Sequence, residues 1–234
     1  MSPSPVAAAL DHFHCYEAQS DPSFTKQQVT LVDQFSTGTS SDTVRRPRRV
    51  CNPTDKNGED PTAATHPDHL VGYPIVEHPR FHAVRNVAVV NQFHGAGTPL
   101  MVDLVRPEIM LVPSLKSLTA PPAPGPTFTD HFKCYRVKGA RFRRAGITLQ
   151  DEFGAATVDV KRPRHLCAPA DKNGEGAPLN PASFLMCYEL RLASSDRPFS
   201  AAGDVFVQNQ FGEDQFGAFR VRELCVPSQA TPQF

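Results

Sequence analysis

Two stretches of this chain are spelled nearly alike. Asp11-His12-Phe13-His14-Cys15-Tyr16 returns as Asp130-His131-Phe132-Lys133-Cys134-Tyr135, and Arg46-Pro47-Arg48 returns as Arg162-Pro163-Arg164. Cys51-Asn52-Pro53-Thr54-Asp55-Lys56-Asn57-Gly58-Glu59 returns as Cys167-Ala168-Pro169-Ala170-Asp171-Lys172-Asn173-Gly174-Glu175. Asn91-Gln92-Phe93 and Val112-Pro113-Ser114 likewise return as Asn209-Gln210-Phe211 and Val226-Pro227-Ser228. A chain with such internal similarity is built from repeated structural units, so the unit must be read before the whole.

Each copy divides again. All four tyrosines, Tyr16, Tyr73, Tyr135 and Tyr188, fall at one position of a half-unit of about fifty residues; a strand then ends at Phe35, Phe93, Phe153 or Phe211, and a second closes at Pro53, Pro113, Pro169 or Pro227. The segments between these markers, such as Val29-Thr30-Leu31-Val32 and Val87-Ala88-Val89-Val90, are short, β-branched and bounded by turn residues, which is strand chemistry. No dozen residues carry a 3.6-residue apolar period, and 23 prolines disfavour long helices. The expectation is an all-β protein of two tandem small β-sandwich or barrel domains, each an internally duplicated three-stranded unit: residues 10–116 and 129–230, joined by a proline-rich linker over 117–128.

The cysteines follow the same period. Four in one copy allow three pairings, but the second copy has Cys134, Cys167, Cys187 and Cys225, whereas the first keeps only Cys15 and Cys51, with Gly72 and Leu111 at the later two positions. Losing both members of one bridge leaves no orphan thiol if each half-unit carries its own. The pairing expected is therefore Cys15–Cys51, Cys134–Cys167 and Cys187–Cys225, each closing a loop of about 35 residues worth ~4 kcal/mol in the chain-entropy picture. Gly72 and Leu111 should then face each other, the leucine filling the volume of the missing bridge. Disulfides require an oxidising compartment. Met1–Leu10 lacks a basic n-region and a long apolar stretch, so the expectation is a secreted or cell-surface protein whose leader is absent from this sequence.

The strings D-H-F-x-C-Y, R-P-x-x-L-C-x-P-x-D-K-N-G-E, N-Q-F-G and L-C-V-P-S, carried here by Asp130 to Tyr135, Arg162 to Glu175, Asn209 to Gly212 and Leu224 to Ser228, resemble an uncharacterised disulfide-containing tandem-repeat module of predicted secreted bacterial proteins. That resemblance implies an extracellular setting and no activity, so it assigns no catalytic residue.

Repeated residues serve the fold that every unit shares; a site is better sought where units differ. Asp55 to Asp60 and Asp171 to Glu175 have a faint likeness to a calcium loop, but lack its spacing, and Asn-Gly is a turn former. The run Arg45, Arg46, Arg48 and Arg49 offers a polyanion site, against the alternative of a charged edge strand. Seven of nine histidines lie in the first copy, and His78, His82 and His94 are its candidate ligands for Zn or Cu. Adjacent Asp151 and Glu152 point to opposite strand faces and do not make an acid–base pair. There is no G-x-S-x-G elbow, H-E-x-x-H pair or phosphate loop. Equal counts of 24 cationic and 24 anionic residues argue against nucleic acid as a partner, and no apolar run is long enough for a membrane-spanning helix.

These features together favour a non-enzymatic extracellular module for adhesion, glycan binding or structural assembly, with a polysaccharide, another surface polymer or further copies of itself as partner and no resident cofactor. The competing expectation is a small metal-dependent enzyme using the histidines of the first copy.

Overall fold

The computed structural model describes residues 10–20, 24–38, 40–194 and 203–233. The leader reading falls on the first nine residues, outside this set. The first half-unit contains β1 (Phe13–Ser20), β2 (Gln27–Val29), β3 (Leu31–Val32), β4 (Ser41–Val44), β5 (Arg49–Pro53) and β6 (Asp55–Lys56); the second contains β7 (His69–His78), β8 (Val84–Val90) and β9 (Leu100–Ser117). The third contains β10 (Phe132–Gly139), β11 (Arg144–Asp151), β12 (Gly154–Pro169) and β13 (Asp171–Lys172), and the fourth β14 (Phe184–Leu192), β15 (Val205–Asn209) and β16 (Gly212–Pro232). Among the described residues there is no α-helix, as the proline-rich, β-branched sequence requires.

The first and last long strands of the half-units close a ring. β1 pairs with β5, β5 with β7, β7 with β9, β9 with β10, β10 with β12, β12 with β14, β14 with β16, and β16 returns to β1, every pairing antiparallel. This is an eight-stranded up-and-down barrel to which each half-unit gives two neighbouring strands. Full closure removes the sheet edges that would otherwise be open to aggregation. It also departs from the expected pair of separate modules: the copies 10–116 and 129–230 are hydrogen-bonded to each other along two seams, β9 to β10 and β16 to β1.

Eight strands enclose a space that side chains can fill, and here they fill it in layers. Phe13, Leu70, Phe132 and Leu185 plug one end. The middle layer holds Cys15–Cys51, Cys134–Cys167 and Cys187–Cys225, each bridging directly opposed residues of one hairpin, as the repeat predicts. Sulfurs of neighbouring bridges touch, with Cys15 Sγ 3.7 Å from Cys225 Sγ and Cys167 Sγ 3.9 Å from Cys187 Sγ. Gly72 and Leu111 are opposed in the same register. What occupies the space above Gly72 is not the leucine, however. A Cβ built there would lie 2.8 Å from Arg49 Cβ and 3.4 Å from Arg49 Cγ and Cδ, so the arginine stem uses the room.

Outside the barrel, each middle strand reaches the half-unit opposite its own. β3 pairs with β13 and β11 with β6, while β8 takes the end of β16 and β15 the end of β9. The repeated tyrosines lock these exchanges. Tyr16 Oη donates to Asp151 Oδ2 at 2.7 Å and Tyr135 Oη to Asp33 Oδ2 at 2.8 Å, whereas Asn91 Nδ2 donates to Tyr188 Oη and Asn209 Nδ2 to Tyr73 Oη, both at 3.0 Å. The same Asp or Asn caps the amide of the phenylalanine two residues on, and that ring packs against the same tyrosine, with centroids 4.9–5.6 Å apart. One side chain of each set thus orders its own turn and clasps the opposite half-unit. Two outer hydrophobic clusters, one around Tyr16, Tyr73, Val112 and Val207, the other around Tyr135, Tyr188, Val89 and Leu149, bury the outward faces of the barrel strands.

Candidate functional site

The barrel is apolar at one end and ionic at the other. Two residues before the second cysteine position of each half-unit stand Arg49, Ile109, His165 and Glu223. Strand alternation points them inward, one layer beyond the bridges. Arg49 Nη1 is ion-paired with Glu223 Oε2; His165 Nδ1 lies 2.9 Å from Glu223 Oε1, and His165 Nε2 lies 3.1 Å from Glu108 Oε2. Burial acts to raise the carboxyl of Glu223, whose side chain is only 2% exposed, but Arg49, His165 and Arg164 outweigh it and hold the group well below the usual carboxylate range. Burial likewise opposes ionisation of Glu108, yet hydrogen bonds from His165 and Arg106 bring it down to about 2. This string of charges is fully paired, which is what a buried ionic layer needs to be tolerated.

Above it opens a cavity of about 1200 Å³. Its wall comes from β1, β5, β7, β9, β16 and the β7–β8 loop: Glu17, Arg48, Arg49, Gly72, Ile75 and Glu77 among them, then Arg80, Phe81, His82, Arg106, Glu108 and Arg222. Five of these residues are arginines. Arg49 is committed to Glu223 and Arg106 to Glu108, whereas Arg48, Arg80 and Arg222 form no ion pair within 4 Å among the described residues. The position five residues before the second cysteine position is arginine in every half-unit, Arg46, Arg106, Arg162 and Arg220, and of these Arg106 lines the cavity. Outside the lining, Arg220 pairs with Glu17 and Arg162 with Glu189; within it, five arginines stand against Glu17, Glu77 and Glu108, a cationic surplus.

Of the basic run singled out in the sequence, Arg48 and Arg49 line this cavity; Arg45 and Arg46 lie just before β5 and do not. The edge-strand alternative does not describe the run, because β5 is flanked by β1 and β7, and the Arg45 and Arg48 amides donate to Pro74 and Gly72 carbonyls. The histidine candidates are dispersed. His82 is exposed on the cavity wall and His78 is exposed at the end of β7, while His94 packs on Phe142 and Tyr188. Among the described residues, the group that brings three potential ligand atoms within 4.8 Å of one another is instead Asp11, Asp60 and His66. There His66 Nδ1 lies 2.9 Å from Asp11 Oδ2, and Thr62 Oγ1 donates to Asp60 Oδ1 at 2.6 Å. The counterpart of Asp11, Asp130, accepts hydrogen bonds from the Leu179 and Asn180 amides, so this position also anchors a loop.

The Asp-Lys-Asn-Gly segments are turns. Asn57 and Asn173 take positive φ, 58° and 57°, followed by Gly58 and Gly174 at 77° and 70°. Each asparagine Oδ1 also accepts from a backbone amide of the opposite half-unit, Asn57 from Thr148 and Asn173 from Thr30, both at 3.0 Å. One buried ionic cluster carried no signal in the sequence. Lys133, fully buried, donates to Glu77 Oε1 at 2.6 Å and lies 3.4 Å from Asp42 Oδ2. The Glu77 side chain, 8% exposed, leaves Oε2 without a hydrogen-bond partner.

A family described as a repeat of unknown function (DUF7450) matches residues 69–227, more than half of the 234-residue chain. No curated protein and no solved structure matches.

Proposed function

This chain belongs to the DUF7450 repeat family, and we propose that it is a non-enzymatic extracellular binding module that holds an acidic surface polymer at the arginine-lined mouth of its barrel. The observation that carries this reading is the set of unpaired guanidiniums of Arg48, Arg80 and Arg222 around one concavity. Guanidinium forks match carboxylate and other oxyanion groups, and a concave surface of one sign concentrates them. Three disulfides support an oxidising setting. The dispersal of His78, His82 and His94 weighs against the metal-enzyme alternative.

A panel of acidic, neutral and basic polymers, titrated against the full chain, tests this. Acidic polymers should bind, and binding should weaken as salt rises. Arg48→Ala together with Arg222→Ala should lower affinity at least tenfold with the thermal midpoint little changed, since neither makes an ion pair. Unchanged affinity in the double variant would refute the mouth as the site.

A further inference from the structure

The mouth has more chemistry than charge. Its floor is closed, because Arg49, Glu223, His165 and Glu108 span it and the bridge layer and the Phe13, Leu70, Phe132 and Leu185 plug lie beneath. A polymer therefore cannot thread the barrel; what enters the mouth to full depth is a chain end or a pendant group. Glu77 adds a second demand. Its Oε1 is taken by Lys133, but its Oε2, buried and unpartnered, belongs to a side chain that lines the cavity. A buried acceptor left unmade costs about 1–3 kcal/mol, so it favours a ligand that brings a donor. Ile75, Pro79, Phe81 and Val105 complete an apolar part of the same wall.

Resting on the reading above, we propose that the occupant is a hexuronic acid residue at the end of, or branching from, a polysaccharide. Its carboxylate meets Arg48, Arg80 and Arg222, a ring hydroxyl donates to Glu77 Oε2, and the C–H face of the ring lies on Phe81 and its apolar neighbours. An acidic peptide offers carboxylates without hydroxyls. A polyphosphate brings a charge density that the Glu77 carboxylate opposes.

Isothermal titration of the full chain with hexuronate trimers, their carboxyl-reduced neutral counterparts and pentaglutamate separates the cases. The trimers should bind at least tenfold more tightly than either control. Glu77→Gln, which keeps the shape but weakens the acceptor, should cut trimer affinity about fivefold or more, whereas pentaglutamate, which makes no hydroxyl bond to Glu77 and loses a repulsion, should bind at least as tightly as before. Arg80→Ala, at an exposed position, should weaken both ligands and serves if Glu77→Gln disturbs the Lys133 pair and the fold. Equal binding of trimer and pentaglutamate, both sensitive to Arg80→Ala, would overturn the sugar assignment and leave the acidic-polymer reading standing. Loss of neither on Arg48→Ala with Arg222→Ala would overturn both, and failure of every trimer to bind would overturn the sugar assignment outright.

Discussion

Restoring the absent fourth bridge is a sharp test of how the barrel interior is packed. Gly72→Cys with Leu111→Cys places two thiols at opposed positions of β7 and β9, the relation that Cys187 and Cys225 have on β14 and β16. Closing a loop of 111 − 72 = 39 residues should be worth ~4 kcal/mol in the chain-entropy picture. Three terms oppose it. The new Cβ at position 72 would lie 2.8 Å from Arg49 Cβ, an atom fixed to the backbone that cannot swing aside, and overpacking of this kind typically costs about 1–3 kcal/mol. Leu111, 3% exposed in the interior cluster, loses part of its buried side chain, roughly another 1–2 kcal/mol. Displacing Arg49 also weakens its pair with Glu223, which is buried and cannot be rehydrated in place. The sum cancels most or all of the gain. The bridge should form on oxidation, shown by loss of both thiols to alkylation and by mass. The unfolding free energy of the oxidised variant from urea titration should then sit within about 1 kcal/mol of the parent or below it. Gly72→Ala alone should destabilise, against the usual benefit of replacing glycine in a strand. A bridged variant that gains the full ~4 kcal/mol, or an alanine variant as stable as the parent, would refute the role assigned to Arg49 over Gly72.

Acid should undo the ionic layer over a defined range. Glu108 in that layer, and Glu152 outside it, where burial is outweighed by hydrogen bonds from His69 and Lys116, are held at about 2 against an ordinary 4.5. Their depressed values give stability that is present above 4.5 and lost as pH falls toward 2; a stability profile flat from pH 5 to pH 2 would contradict this. The tyrosine clasps should differ in strength: Tyr16→Phe removes a bond to a buried carboxylate and should cost about 1.5–3 kcal/mol, whereas Tyr73→Phe removes one to an amide and should cost about 0.5–1.5 kcal/mol. Equal losses by chemical denaturation would argue against the identity of the acceptor as the difference. Cutting the exposed linker at 117–128 should leave both pieces in one particle on gel filtration, because two strand seams and the exchanged outer strands hold them; free halves at native pH would contradict the closed ring.

Much of this architecture is legible in the residues. The register of Tyr16, Tyr73, Tyr135 and Tyr188, the paired loss of two cysteines and the Asn-Gly turns lead directly to the half-units, the three bridges and the opposition of Gly72 to Leu111. Ring closure is not legible in the same way, because a repeat period fixes what each unit is and says nothing about which unit its edge strands meet. The repeated Tyr and Asp or Asn positions do hold that information, since their hydrogen bonds run between opposite half-units, but only as a pairing of residues 97 to 136 positions apart. The mouth is half legible. Arg48 and Arg49 stand out as part of a basic run, while Arg222 and Arg106 emerge only once the half-units are aligned on their second cysteine position. Glu77 and Lys133, buried at positions that the other half-units fill differently, have no pattern to betray them.

The floor of the mouth has a consequence for how such a barrel can arise. A free unit of fifty residues supplies two of eight staves, so it could close a ring only as a cyclic tetramer, and a free copy of two units only as a dimer. Identical subunits would set the same side chain four times, or two alternating side chains twice each, around one axis. Four glutamates, or four arginines, at the level of Glu223 and Arg49 would be like charges crowded in a dry interior, with no counter-charge to neutralise them. Joining the units in one polypeptide lifts that restriction. Arginine, isoleucine, histidine and glutamate can then occupy one level of one ring, and one unit can trade its bridge for a glycine that admits an arginine. A floor of four different side chains is therefore open only to a ring whose four units differ in sequence, as they do within this one polypeptide.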